Sequence, residues 1–281
     1  MRKILIPTDF SENALNAIKN AVIHFKYEQC EIYLMHAYID ELYEAKKDYS
    51  NSDFEAFKKN LISVIENKMA TLLAEIKKFS PNPKHTFYTL LQNGTLIDES
   101  NDIVDRENID LLIMGTLGES NQKNKTFGSN TIQVLKYVKC PVMAIPKGYA
   151  SYSPKKLLFT TDYQLPYKRR ELKLISTLAK SFVAKINFLY VSNFESLSHR
   201  QEDNKSFLES CFRSNLIEFH SKQGKDLTNA INTFIQEYDI DLLIMVNSRH
   251  SFLENILYKS TIDAIGLHIK IPFLVLQNLS R

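Results

Sequence analysis

Short apolar runs alternate along the chain with longer segments in which apolar residues recur every three or four positions. In the N-terminal half the apolar runs are Ile4–Pro7, Ile32–Ala37, Thr86–Leu90, Leu111–Gly115 and Val142–Ile145. Runs that are short and apolar almost throughout predict strands buried on both faces. Their alternation with helical segments predicts an α/β fold built on a doubly wound, mostly parallel sheet of the Rossmann-like type.

Two of the intervening segments have strong helical periodicity. The segment SENALNAIKNAVIHF places its apolar side chains on one face, with Ser11 or Asp9 as the candidate N-cap. The segment NLISVIENKMATLLAEIKKF does the same. Before it, the stretch from Tyr38 to Phe57 mixes aromatic and charged residues, and we interpret it as a loop leading into this helix, with a lid or a partner surface as the alternative.

The chain repeats itself. Asn108–Gly115 (NIDLLIMG) recurs 131 positions later as Asp239–Val246 (DIDLLIMV), and Ile4–Phe10 recurs 153 positions later as LLFTTDY. Further matches pair YLMHA with FLYVS at an offset of 155, and Gly94 with Gly224 at an offset of 130. Collinear matches of this kind predict two tandem copies of one domain, the second about 25 residues shorter after its second strand.

The linker between the copies is predicted within PKGYASYSPKK, which is rich in proline, glycine and serine. We therefore assign the two domains to residues 1–147 and 155–281. The last strand of the second copy, in IPFLVL, is expected to pair with CPVMAI of the first across a pseudo-twofold axis, which would cover two open sheet edges.

Composition narrows the class of protein. The formal net charge of +3 and the scattered basic residues argue against a nucleic-acid binder. No apolar run approaches the ~18 residues of a membrane span. The three cysteines form no C-x-x-C pair, so we interpret them as reduced thiols of a cytoplasmic protein.

Glycines are concentrated at one place in this glycine-poor chain. Three of the seven lie in MGTLGESNQKNKTFGSNT, in the pattern G-x2-G-x9-G-S, between a predicted strand end and a predicted helix start. A missing Cβ lets a ligand approach the backbone at Gly115 and Gly118. A helix that begins near Gly128 offers free N–H groups and a favourable dipole to an anion, and the hydroxyls of Ser129 and Thr131 can donate to phosphate oxygens.

The tandem repeat, the start PTDFS and the glycine pattern resemble the universal stress protein family in its two-domain form. The resemblance covers essentially the whole chain, and the glycine pattern is typical of the ATP-binding branch. That branch implies the strand order 3-2-1-4-5, a pseudo-dimer of the two domains, and ATP with Mg²⁺ in the crevice at the carboxyl ends of the strands.

The resemblance also implies roles for individual residues. Asp9 would contact the ribose or a Mg²⁺ bound to the phosphates. The remaining positions would line the base and ribose (Pro7, Thr8, Ala37, Met114, Gly115) or hold the phosphates (Gly118, Gly128, Ser129, Asn130, Thr131).

The second copy departs from this pattern. At the offset of 131, Val246, Arg249 and Lys259 replace the three glycines, and only Ser260 matches. Because a β-branched side chain at Val246 obstructs close approach, we expect one nucleotide per chain, in the first copy.

Function has alternatives at this point. We expect a nucleotide-dependent sensor or regulator of the stress response; a slow ATPase or phosphotransferase and a nucleotide-free interaction scaffold are the alternatives. Asp9 could hold Mg²⁺, but the sequence offers no evident catalytic base. His36, near the crevice, is interpreted as a packed strand histidine. The sequence names no protein partner and leaves homo-oligomerisation open.

Overall fold

The computed structural model describes residues 1–46, 51–117, 127–150, 153–164, 167–194, 196–248, 253 and 270–278. The strands are β1 Arg2–Pro7, β2 Cys30–Ala37, β3 His85–Gln92, β4 Leu111–Gly115, β5 Val142–Ile145, β6 Lys156–Thr160, β7 Lys185–Ser192, β8 Leu216–Gln223, β9 Leu242–Asn247 and β10 Phe273–Gln277. The helices are α1 Glu12–His24, α2 Ile39–Lys46, α3 Asn51–Phe79, α4 Leu96–Glu107, α5 Ser129–Tyr137, α6 Arg169–Phe182, α7 His199–Cys211 and α8 Leu227–Tyr238.

Within the described residues, the strands form one sheet in the order β3-β2-β1-β4-β5-β10-β9-β6-β7-β8. Each half has the order 3-2-1-4-5, and all pairs within a half are parallel. The halves join through β5 and β10, which run antiparallel with Leu274 opposite Met143. The expected pairing of IPFLVL with CPVMAI is therefore confirmed, as is the fold class.

Both faces of the central strands are covered, which explains their continuous apolar runs, whereas the edge strands β3 and β8 are only partly buried, so the expectation that β3 is buried on both faces is wrong. Ile4 and Ile6 belong to a core that also contains Phe159 and Phe188 of the second half. Leu5 lies in the core on the opposite face. Because alternate residues of a strand point to opposite faces, a strand between two helical layers must be apolar at every position.

The halves differ after their second strands. The first half has α2 and the 29-residue helix α3 there, whereas the described residues of the second half form the 13-residue helix α7. The shortening of the second copy is confirmed. The region Tyr38–Phe57 is largely helical where described, so its interpretation as a loop is wrong.

One sequence offset needs correction. Ile4 pairs with Ile32, and its counterpart Leu157 pairs with Ile186, which sets the offset at the second strand to 154 instead of 155. His36 therefore corresponds to Tyr190. The apolar runs of β2 and β7 can be aligned in sequence with or without a one-residue shift, because both are apolar almost throughout. In the structure the choice matters, since a shift of one residue would turn every side chain to the other face of the sheet.

A glycine allows α1 to pack against the end of β4. A Cβ on Gly115 would lie 2.7 Å from Nδ2 and 3.0 Å from Cγ of Asn13, and 3.1 Å from its backbone oxygen. The Asn13 amide cannot simply turn away, because it donates to the carbonyl oxygen of Leu117.

We expect Gly115→Ala to lower the free energy of unfolding by about 1–3 kcal/mol, as overpacking of a core does. Urea denaturation measures the change. In the double variant Asn13→Ala/Gly115→Ala, the free energy of unfolding should fall by less than the sum of the decreases in the two single variants. Removing the Asn13 amide makes room for the new methyl group. If the two decreases simply add, the contact between α1 and the end of β4 does not require a glycine at position 115.

A buried carboxyl group lies where the halves meet. Glu171, in the first turn of α6, is 7% exposed, and burial raises its pKa to about 7. Its Oε1 lies 3.8 Å from Nζ of Lys168, and this cation and the nearby backbone of Gln277 lower the pKa by less than burial raises it. Because the folded state holds this proton more tightly than the unfolded state, the free energy of unfolding decreases as pH rises from about 4.5 to about 7.

We expect Glu171→Gln to stabilise the protein by about 1–3 kcal/mol at pH 8 and to have little effect near pH 4.5. The amide resembles the protonated acid in shape and carries no charge. Urea denaturation at both pH values tests this, with Glu202→Gln, on the exposed face of α7, as the control. An equal effect of Glu171→Gln at both pH values would contradict the raised pKa.

Candidate functional site

A cleft of about 550 Å³ opens at the carboxyl ends of β1, β2 and β4. Ten of the eleven residues expected to contact a nucleotide line it: Pro7, Thr8, Asp9, Ala37, Met114, Gly115, Gly128, Ser129, Asn130 and Thr131. The eleventh, Gly118, lies outside the described residues. The cleft is also lined by residues to which we assigned no ligand contact: Ala14, Met35, His36, Asp40, Gly94, Leu96 and Leu117.

The wall after β1 is a tight polar turn. The Thr8 hydroxyl accepts from the N–H of Phe10 (3.0 Å), and Oδ1 of Asp9 accepts from the N–H of Ser11 (3.1 Å). Phe10 adopts φ of 62°, a left-handed conformation that an aromatic residue rarely takes. The turn thereby presents the exposed carboxylate of Asp9 to the cleft.

The N-cap of α1 is Ser11, whose side chain accepts from the N–H of Ala14 (3.2 Å). Of the two candidates for this cap, Ser11 is therefore the correct one. Asp9 stabilises the turn before the helix and lines the cleft.

The opposite wall is the start of α5. Its N-cap is Gly128, with φ of −73° and, within the described part of the chain, no side-chain hydrogen bond to the first turn. The N–H of Gly128 itself donates to the carbonyl oxygen of Thr116 (2.7 Å). Ser129 and Asn130 follow, both exposed and both in the cleft. An uncapped first turn leaves N–H groups that can bind an anion.

Thr131 has a different role from the one expected. Its side chain is buried (2% exposed), and its hydroxyl donates to the carbonyl oxygens of Gly115 (3.1 Å) and Thr116 (3.0 Å). The single hydroxyl proton is directed at these carbonyl oxygens, whereas we expected it to donate to a phosphate. Thr131 instead fixes the start of α5 against the end of β4.

Gly115 also needs a correction. We attributed its missing Cβ to close approach by a ligand. The contact that excludes a Cβ is with Asn13 of α1, so packing accounts for this glycine, which is buried and also lines the cleft.

His36 lies at the cleft and contacts more than a packed strand histidine would. It is 6% exposed, as a packed strand histidine should be, yet it also lines the cleft. Its Nδ1 lies 2.7 Å from the carbonyl oxygen of Thr8, and its Nε2 lies 3.0 Å from Oε1 of Glu41 in α2. Its place one residue before the strand end was the available signal.

The second half keeps the turn but has a valine in place of Gly115. Tyr163 has φ of 56°, and Thr161 and Asp162 accept the same two backbone hydrogen bonds as their counterparts after β1. Val246, half-buried, stands where the first half has Gly115. Arg249, Lys259 and Ser260 lie outside the described residues.

The described residues hold neither a cluster of metal ligands nor a membrane-spanning helix. No group of three or more His, Cys, Asp or Glu side chains could hold a metal ion by itself. No helix in the described ranges has the length and apolar character needed to cross a membrane.

Comparison with solved structures supports the two-part architecture. A universal stress protein from Archaeoglobus fulgidus aligns over 98% of this chain and 96% of its own, with a TM-score of 0.65. At 15% sequence identity this likeness concerns the fold alone.

Comparison with known sequences supports membership in a family. Universal stress protein MJ0577 of Methanocaldococcus jannaschii is 29% identical over 155 residues, which cover 52% of this chain and 95% of the relative. Universal stress protein MJ0531 of the same organism is 25% identical over 146 residues, covering 52% of this chain and 82% of the relative. The model of the universal stress protein family matches residues 1–146, more than half of the chain. This chain belongs to the universal stress protein family.

Proposed function

We propose that the N-terminal half binds ATP together with Mg²⁺, and that the protein acts as a nucleotide-dependent sensor or regulator of the stress response. The observation that carries the proposal is the start of α5. Gly128 supplies no side-chain cap, so among the described residues no N-cap side chain occupies the first-turn N–H groups, and Ser129 and Asn130 lie in the cleft at the positive end of the helix dipole.

The cleft has the size and lining for the rest of the nucleotide. Its volume of about 550 Å³ lies within the usual range for small-molecule sites. Pro7, Ala37 and Met114 provide apolar surface for the base, and Gly115 borders the ribose. The phosphates would extend toward the Gly128–Thr131 turn, with Gly118 on the same side according to the family resemblance.

Magnesium fits this arrangement only as a companion of the phosphates. Among the described residues no cluster of protein ligands could hold the ion alone. Asp9 supplies one exposed carboxylate in the cleft. Mg²⁺ is commonly bound by one or two carboxylates together with substrate phosphates and waters.

Thermal unfolding with and without Mg·ATP tests the proposal. At a ligand concentration of about 100 times the dissociation constant, binding adds about 2.7 kcal/mol, which should raise Tm by about 5–10 °C. We expect titration calorimetry to give one site per chain.

Asn130→Asp is the most selective variant. A carboxylate in the first turn of a helix interacts favourably with the helix dipole, so the variant should stay folded. The new negative charge would, however, repel the phosphates. We expect the Tm rise with Mg·ATP to be largely lost. Asn229→Asp, which makes the same change in the first turn of α8 in the other half, should keep the full rise.

Two results would contradict the proposal. The absence of any rise in the unmodified protein would exclude the site, and an undiminished rise in Asn130→Asp would place the phosphates elsewhere. Release of phosphate above background, lost in Asp9→Ala, would assign an ATPase in place of a binding protein.

A further inference from the structure

We propose that His36 is a positioning residue that couples the nucleotide cleft to helix α2, so that occupancy of the cleft changes the order of α2. This inference rests on the proposed function for its ligand. The contacts that support it lie within the protein, and their effect on α2 can be measured without nucleotide.

His36 contacts the wall of the cleft on one side. Its Nδ1 lies 2.7 Å from the carbonyl oxygen of Thr8, in the turn that presents Asp9 to the cleft. A carbonyl oxygen can only accept, so Nδ1 carries the hydrogen and the imidazole fixes the position of this turn. The ring of His36 also packs against that of Phe10, with centroids 4.8 Å apart.

On its other side, His36 contacts α2. Nε2 lies 3.0 Å from Oε1 of Glu41, whose side chain is 45% exposed. When Nε2 also carries a proton, this contact is an ion pair and a charge-assisted hydrogen bond. The imidazole, itself 7% exposed, is thus held on one side by the cleft wall and on the other by a surface helix.

A second connection runs through Phe10. Its ring packs on the small cluster formed by Tyr38, Leu42 and Ile65 beneath α2 and α3. On α3, Nζ of Lys68 lies 5.5 Å from the centroid of the same ring. The turn that would contact the nucleotide is therefore tied to both helices.

The second half shows which part of this arrangement is general. Tyr190, the counterpart of His36, packs against Tyr163 with centroids 5.5 Å apart. There the link to the next helix is neutral, since the Gln201 amide donates to the carbonyl oxygen of Asp162 (2.8 Å). The fold uses a polar link at this place in both halves, and the ionisable link lies in the half that has the cleft.

Hydrogen–deuterium exchange of the full chain tests the coupling. We expect Glu41→Ala and His36→Asn each to speed exchange of the α2 amides by about fivefold or more, because α2 loses its polar link. His36→Asn keeps a donor near Thr8 and removes only the reach to Glu41. Glu41→Gln keeps an acceptor and should restore slow exchange.

The double variant separates coupling from general loosening. If the two side chains act through one contact, His36→Asn/Glu41→Ala should exchange no faster than either single variant. Glu44→Ala, an exposed change on the same helix, serves as the control and should leave exchange as in the unmodified protein.

The nucleotide adds the second readout. Mg·ATP should slow exchange of α2 in the unmodified protein, and this effect should be lost in Glu41→Ala. By linkage, the same variant should bind Mg·ATP about fivefold more weakly.

The inference is overturned if Glu41→Ala and His36→Asn leave exchange of α2 unchanged, or if their effects simply add. Glu41 variants alter a half-exposed side chain, so they decide the question even if His36→Asn fails to fold. If the unmodified protein does not bind ATP, the proposed function is wrong. The exchange rates of the free protein would still show whether His36 stabilises α2.

Discussion

The pairing of β1 with β4 is the constraint on which the site depends. Ile4 and Leu5 pair with Leu111 and Leu112, and β2 lies on the other side of β1. The strand order therefore reverses between β1 and β4, which is where open parallel sheets leave a crevice at their carboxyl ends. This places the turn that carries Asp9 opposite the start of α5. Thr131 then fixes α5 to β4 through two carbonyl oxygens, so the uncapped first turn faces the cleft.

The same plan appears twice in one chain, and the two copies have diverged. Joining β5 to β10 makes a single sheet and removes the edge that each half would otherwise expose. Both halves keep the left-handed aromatic residue and the Thr–Asp turn after their first strand. Because this turn is kept where Val246 replaces the glycine of the first half, the turn serves the fold in both copies. The glycines and the α2–α3 pair distinguish the half that we propose to be functional.

The sequence predicted the central strands well because the helical layers on both faces force them to be apolar at nearly every position. The bounds of β4 and β5 agree residue for residue with the apolar runs Leu111–Gly115 and Val142–Ile145. The offset at β2 and β7 was one residue too large, because an apolar run gives little information on register. The helices between Tyr38 and Phe57 were missed, since charged and aromatic residues there obscure the helical periodicity.

The positions that line the candidate site were predicted better than the contacts that each residue makes there. Ten positions that the family resemblance implied line one cleft. The roles of Gly115 and Thr131 depend on contacts with α1 and β4, which are remote in sequence. The position of His36 near the strand end could be read from the sequence, but its contacts with Thr8 and Glu41 could not, because no periodicity carries that information.

A crystal structure of the full chain grown with Mg·ATP tests the central claim most directly. The account predicts one triphosphate in the N-terminal cleft, with phosphate oxygens within hydrogen-bond distance of the backbone nitrogens of Ser129 and Asn130. A nucleotide bound elsewhere, or phosphates held without contact to the start of α5, would contradict it.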